Sequence, residues 1–131
     1  MTTISSTKTL VNQSADHLFN YLTDLERFRS SLPEQVTNYR VEGNSCSFTI
    51  QGMADLSLTI TQAVPFEKVI FSNANPKPFP FALLFDFTAL TPQTCQLVVT
   101  FQGDLNPMLL MMAKGPLQTF VNMVAQKIAT T

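Results

Sequence analysis

Hydrophobic residues recur at every second position through much of this chain, most clearly in its last third. Phe81, Leu83, Phe85 and Phe87 fall on one face of a strand. Leu97, Val99 and Phe101 fall on one face of the next. Gly103-Asp104-Leu105-Asn106-Pro107 then opens a helix that runs toward Thr130, and its start, from Met108 to Met112, is apolar nearly all round. An apolar sheet face needs a cover, and an apolar helix needs a surface to lie on. The pattern predicts one long C-terminal helix packed into the concave side of an antiparallel sheet.

The earlier sequence supplies the rest of that sheet. Residues 4–11 read as a strand, and Asn12-Gln13-Ser14 as a turn in which Ser14 caps a helix. Ala15, Leu18, Phe19, Leu22 and Leu25 recur at helical spacing as far as Phe28, and Asp24 is placed to cap a second short helix ending at Ser31. Strands follow at 36–42 and 45–51 across a Gly43-Asn44 hairpin loop, with Cys46, Phe48 and Ile50 inward. Gly52 marks a bend, and 55–61 alternates again with Leu56, Leu58 and Ile60 inward. Residues 68–73 form the next strand, and 75–80 are a proline-rich loop. Residues 81–89 and 95–103 form a hairpin over Thr91-Pro92-Gln93. The order is strand, two short helices, six strands, long helix: one α+β domain over 1–131 with antiparallel pairing.

Composition narrows the function classes. Hydrophobic residues make up 45% of the 131 and charged ones only 13%, about half the usual charged share. Eight basic and nine acidic residues give a net charge of -1 with no basic stripe, so a nucleic-acid partner is not expected. The N-terminus lacks a basic, apolar leader pattern, and the apolar run 108–113 is too short to span a bilayer. A cytoplasmic protein without stable membrane insertion is the expectation. Cys46 and Cys95 read as separate buried thiols.

Residues 14–28, Ser-Ala-Asp-His-Leu-Phe-Asn-Tyr-Leu-Thr-Asp-Leu-Glu-Arg-Phe, carry an aromatic, a Leu-x-Asp and a second aromatic. Gly103-Asp104 precedes the last helix and Gly115-Pro116 interrupts it. With the element order, these features resemble the START/Bet v 1-like (SRPBCC) superfamily, which includes polyketide cyclases and lipid transfer proteins. The resemblance covers the whole chain. It implies a helix-grip fold: a seven-stranded curved antiparallel sheet wrapped around the C-terminal helix, with two short helices between strands one and two. It also implies an apolar cavity between sheet and helix. Enzymatic members place ionisable or polar groups in that cavity. Here the inward positions are almost all Phe, Leu, Ile and Met, which counts against catalysis.

The cavity candidates are Phe48, Ile50, Leu58, Phe71, Phe81, Phe85, Phe87, Phe101, Met108, Met112 and Phe120, with Met53, Met111 and Met123 bordering them. Arg40, Asn73, Asn75, Gln118 and Asn122 are polar groups available to orient a ligand. His17, the single histidine, falls on the solvent side of its helix, and no metal-ligand spacing, cofactor motif or catalytic signature accompanies it. Asp55 and Asp86 point outward on strict alternation, although a register shift at Gly52 would turn Asp55 inward. Pro116 should kink or break the last helix, as a packing bend or as a hinge. Binding or carriage of a small apolar, lipid- or polyketide-like molecule is the leading expectation. The alternatives are a cyclase- or dehydratase-type enzyme using Asp55, Asp86 or Tyr39, and an interaction module, homodimeric or otherwise, using the 75–80 loop and Phe79.

Overall fold

Period-two alternation and well-placed caps give each predicted element its place. The computed structural model describes residues 2–32, 36–50, 54–73 and 81–130, without the side chains of Ser31, Ile50 and Ala54. The elements are β1 (Thr2–Ser5), β2 (Thr9–Val11), α1 (Ala15–Thr23), α2 (Leu25–Phe28), a 3-10 turn (Arg29–Ser31), β3 (Val36–Glu42) and β4 (Ser45–Ile50). They continue with β5 (Ala54–Val64), β6 (Lys68–Asn73), β7 (Phe81–Thr91), β8 (Thr94–Gly103) and α3 (Pro107–Ala129). All strands join one antiparallel sheet in the order β1-β8-β7-β6-β5-β4-β3, with β2 also paired to β8.

The first predicted strand is thus two. Ser6 is buried between them, its N–H donating to the Val99 carbonyl at 2.7 Å and its Oγ accepting from the Val99 N–H at 2.9 Å. A serine side chain replaces one backbone group of the ladder there, and the chain steps out between Ser5 and Thr9.

The helix starts follow their caps. Ser14 Oγ accepts from the His17 N–H at 3.0 Å, and Asp24 Oδ1 accepts from Glu26 and Arg27 N–H at 3.1 and 3.4 Å. Asn106 Oδ1 accepts from Leu109 N–H at 2.8 Å, with Pro107 at the first helical position. α3 then runs unbroken through Pro116, so the expected break does not occur. Met112, Gly115 and Pro116 are all exposed, so the carbonyl that proline leaves unpaired lies on the side where water can reach it.

Register arranges the inner face in rows. Ile60, Phe71, Leu83, Phe101 and Ile4 stand opposite one another across five strands. The next row holds Val41, Cys46, Leu58 and Asn73, and Phe81 faces Gly103 at the far end of β7 and β8. α3 packs along β8, β1 and β2 and meets the 3-10 turn, burying Ala113, Leu117, Phe120, Val121, Val124, Ala125 and Ile128. α1 lies against β6 and β7. Cys46 and Cys95 are both buried and free, on β4 and β8, with three strands between them in the sheet order.

Three substitutions test this packing. Gly103 leaves room for the Phe101 ring: a Cβ there would stand 2.7 Å from Cε1 and 2.8 Å from Cζ. Gly103→Ala should destabilise by about 1–3 kcal/mol. A Cβ at Gly115 meets nothing within 4 Å, so Gly115→Ala should stabilise by roughly 0.5–1 kcal/mol. Phe85 is fully buried against two other rings, and Phe85→Ala should cost about 3–5 kcal/mol. Denaturant unfolding of each variant reads all three, and a stabilised Gly103→Ala would contradict the packing described.

Candidate functional site

One end of the interior is filled by aromatic rings. α2 ends by pointing Phe28 into the sheet, where it stacks on Phe71 at 5.1 Å between centroids and meets Phe85 edge-on at 5.6 Å. Phe71 and Phe85 meet edge-on at 5.5 Å. Phe81 and Phe101 stack at 5.5 Å over Gly103 at the start of β7. Phe48, Leu56 and Leu58 line the inner face of β4 and β5 and are buried. α3 does not approach those two strands as closely as it approaches β8, β1 and β2.

The sequence candidates separate into groups. Phe48, Leu58, Phe71, Phe81, Phe85, Phe87, Phe101 and Phe120 are all buried on the inner side of the sheet or on the buried side of α3. Met108 and Met112 are 73% and 71% exposed, so both stand outside that group. The side chain of Ile50 lies outside the described residues, as do Gly52, Met53, Asn75 and Phe79. Of the polar candidates, Asn73 shares an inner row with Leu58 and Cys46 and is half-buried. Gln118 donates to the Ser5 carbonyl at 2.8 Å and Asn122 accepts from the Thr7 N–H at 3.2 Å. Those two amides clamp α3 to the edge of the sheet. Arg40 is exposed opposite Ser47.

The carboxylate candidates face the other way. Asp55 stands opposite Thr49, exposed, and accepts from its hydroxyl at 2.6 Å. Asp86 stands opposite Lys68 and is exposed. His17 is exposed as well. It borders an open surface hollow of about 470 Å³ with Asn12, Gln13, Ser14, Pro92 and Gln93, which includes none of the interior candidates.

Tyr39 reaches the interior by a device the alternation does not reveal. A bulge at Asn38-Tyr39 sets two residues of β3 opposite Phe48, and Asn38 takes the left-handed conformation (φ 57°) that an asparagine tolerates. Tyr39 therefore stacks on Phe48 at 6.3 Å and donates to the Leu25 carbonyl at 2.6 Å, under the Arg29 guanidinium 5.2 Å from the ring centroid. Burial, then the neighbouring Cys46, pushes the Tyr39 phenol above its ordinary range. Burial pushes the Cys46 thiol up to about 11, against a smaller opposing effect of its hydrogen bond with Tyr39. Both groups are neutral at pH 7, and the thiol is a poor nucleophile there. No buried side-chain polar atom lacks a partner, and no cluster of metal-binding side chains occurs, among the described residues.

The thiol predicts a pH dependence. The folded state holds the Cys46 proton more tightly than the unfolded chain, so the resulting stability is intact below the ordinary value of 9.0. It is lost as pH rises toward about 11. Thermal unfolding between those limits should show a steeper fall for the unmodified protein than for Cys46→Val, and parallel curves would refute the assignment.

No family model and no curated protein matches the sequence, but solved structures match over nearly its full length. A START superfamily protein from Mycobacterium smegmatis superposes with a TM-score of 0.70 at 13% identity, over 98% of this chain and 97% of that one. The Aha1 dimer protein from Colwellia psychrerythraea gives 0.66 at 14% identity, over 98% and 97%. The di-domain ARO/CYC BexL of the BE-7585A biosynthetic pathway gives 0.76 at 11% identity, over 99% of this chain and 46% of that one. With its curved antiparallel sheet, its short helices after the first strands and its long C-terminal helix, the chain has a helix-grip fold, the fold it shares with the START superfamily protein and the ARO/CYC protein.

Proposed function

We propose that this protein binds and carries a small, uncharged, apolar molecule between the inner face of β4–β7 and α3. The observation that carries the reading is the chemistry of the inner rows. Phe48, Leu56, Leu58, Phe81 and Leu83 are buried there, while every charged residue on the described strands is exposed or stands on the outer face. Such a surface attracts hydrocarbon by desolvation, at about 25 cal/mol per Å² buried, and offers nothing to offset the burial of an ionised group. Asn73, half-buried in an inner row, supplies an amide that would orient a carbonyl or hydroxyl of a lipid- or polyketide-like ligand.

The fold alone accommodates the enzymatic alternative, and one neighbour of this fold is an ARO/CYC protein of a biosynthetic pathway. Here Asp55 and Asp86 point away from the interior, and the Tyr39 phenol is bound to a backbone carbonyl with its proton held tightly. Carriage needs none of these groups to change protonation state. A cytoplasmic setting belongs to the same proposal, supported by two free buried thiols. No helix among the described residues is long and apolar enough to cross a membrane.

Titration with Nile red, an uncharged dye that brightens in apolar surroundings, tests the reading. Leu58→Trp fills the inner row and should weaken dye binding roughly tenfold, whereas Leu84→Trp, on the opposite face of the sheet, should leave it unchanged. Equal effects of the two, or no binding by the unmodified protein, would defeat the proposal. Native mass spectrometry of the freshly purified protein should show an added neutral mass that Leu58→Trp removes.

A further inference from the structure

The first two turns of α3 present an apolar surface that the rest of the described chain leaves open. Met108, Met111 and Met112 are 73%, 84% and 71% exposed, and Leu109 is 37% exposed. Spacings of three and four residues put the three methionines on one helical face. The patch amounts to roughly 500 Å², the size of the largest apolar patch on an ordinary monomer. Methionine side chains adapt to the surface they meet, which suits a contact face.

The charges around the patch indicate what covers it. Asp104 lies just before the helix and Lys114 just after the patch, and no other charged residue falls between them. Both are exposed, and neither makes an ion pair among the described residues. The midpoint between them in sequence is Leu109, inside the patch. Two copies of this helix end laid antiparallel about a two-fold axis therefore set each Lys114 toward the other copy's Asp104, with methionine against methionine between. The helix dipoles are also opposed in that arrangement. Self-complementarity under a two-fold axis is what an isologous dimer requires. A lipid surface fits less well, because Asp104 would be pressed toward its headgroups together with the methionines.

We propose that the protein forms a reversible homodimer through the first two turns of α3, with Lys114 and Asp104 paired across the two-fold axis. Two patches bury together about 1,000 Å², the lower limit for a specific interface, so the dimer is a weak one in rapid exchange with monomer. This contact does not depend on the ligand proposed above, because it uses the solvent side of α3.

Sedimentation velocity across roughly 1 to 500 μM should show a concentration-dependent shift from monomer to dimer mass. Met111→Glu should raise the dimer Kd about tenfold without changing the thermal midpoint. Asp104→Lys and Lys114→Asp should each weaken the dimer, and the double exchange should restore it, because the pair is reformed with its signs reversed. A monomer at every concentration would overturn the proposal, as would a dimer indifferent to Met111→Glu or a double exchange no better than the single ones. A protein that stays monomeric yet sediments with phosphatidylglycerol vesicles would assign the patch to a lipid surface instead.

Discussion

Phe28 belongs to the helical segment, but its ring lies within the sheet's concave face, stacked on Phe71 and edge-on to Phe85. All three rings are fully buried. Aromatic pairs at these separations contribute about 0.5–1.5 kcal/mol beyond their burial, and they also have orientation. The contact therefore fixes where α2 and the 3-10 turn stand above the sheet. Two further interactions inherit that position. The Leu25 carbonyl can accept from Tyr39 across from β3, and the Arg29 guanidinium can sit over the Tyr39 ring. α3 meets the same 3-10 turn. One aromatic wedge thus locates the helical segment, the edge strand β3 and part of α3 relative to one another.

The wedge also divides the interior. On its side, the concave face is closed by rings. Away from it, β4 and β5 present Phe48, Leu56 and Leu58, and the nearest polar neighbours are uncharged: an amide at Asn73, a thiol at Cys46 and a phenol at Tyr39. Charge is kept on the outer face, where Thr49 donates to Asp55 and the hydroxyls of Ser45 and Thr59, and of Thr61 and Ser72, pair across strands. With 13% charged residues, the protein wets its outer face largely with hydroxyls. Among the described residues no ionised side chain is aimed inward, so this interior has nothing to offset the burial of a charged group.

Much of this was legible in the residues, and the exceptions have physical causes. Alternation at Phe81–Phe87 and Leu97–Phe101 reads directly because a one-residue slip would invert a whole face. Ser14 and Asp24 read as caps because each puts a side-chain oxygen where free N–H groups wait, whereas the Asn106 cap is seen only in the structure. The Tyr39 placement was hidden, since a bulge shifts phase without changing composition. Ser6 was hidden for a related reason: a serine that substitutes for a ladder group still looks like a strand residue. The run Met108–Met112 misled most. A helix segment that is apolar on every side carries no phase, so periodicity cannot say which face is buried. Anchoring α3 to β1 through Gln118 and to the loop after β1 through Asn122 sets its rotation, and that rotation sends Met108, Met111 and Met112 to solvent.

The same anchoring connects interior and exterior. Gln118 and Asn122 hold the middle of α3 against the end of β1 and the loop that follows it, so the helix cannot roll to bury its methionines without breaking both bonds. A free sheet edge would be the other place for the chain to meet a neighbour, yet the edge strand β3 carries a bulge in its ladder with β4, with Asn38 in the left-handed region, and a bulge twists an edge away from pairing. At the opposite edge the sheet ends in two short strands, β1 and β2, separated by the Ser6 step. Both edges are thus blunted by local geometry, while the apolar end of α3 is left uncovered by its own register. The proposed association through helix rather than through strand accords with these edges, and it leaves the concave face of the sheet free of that contact.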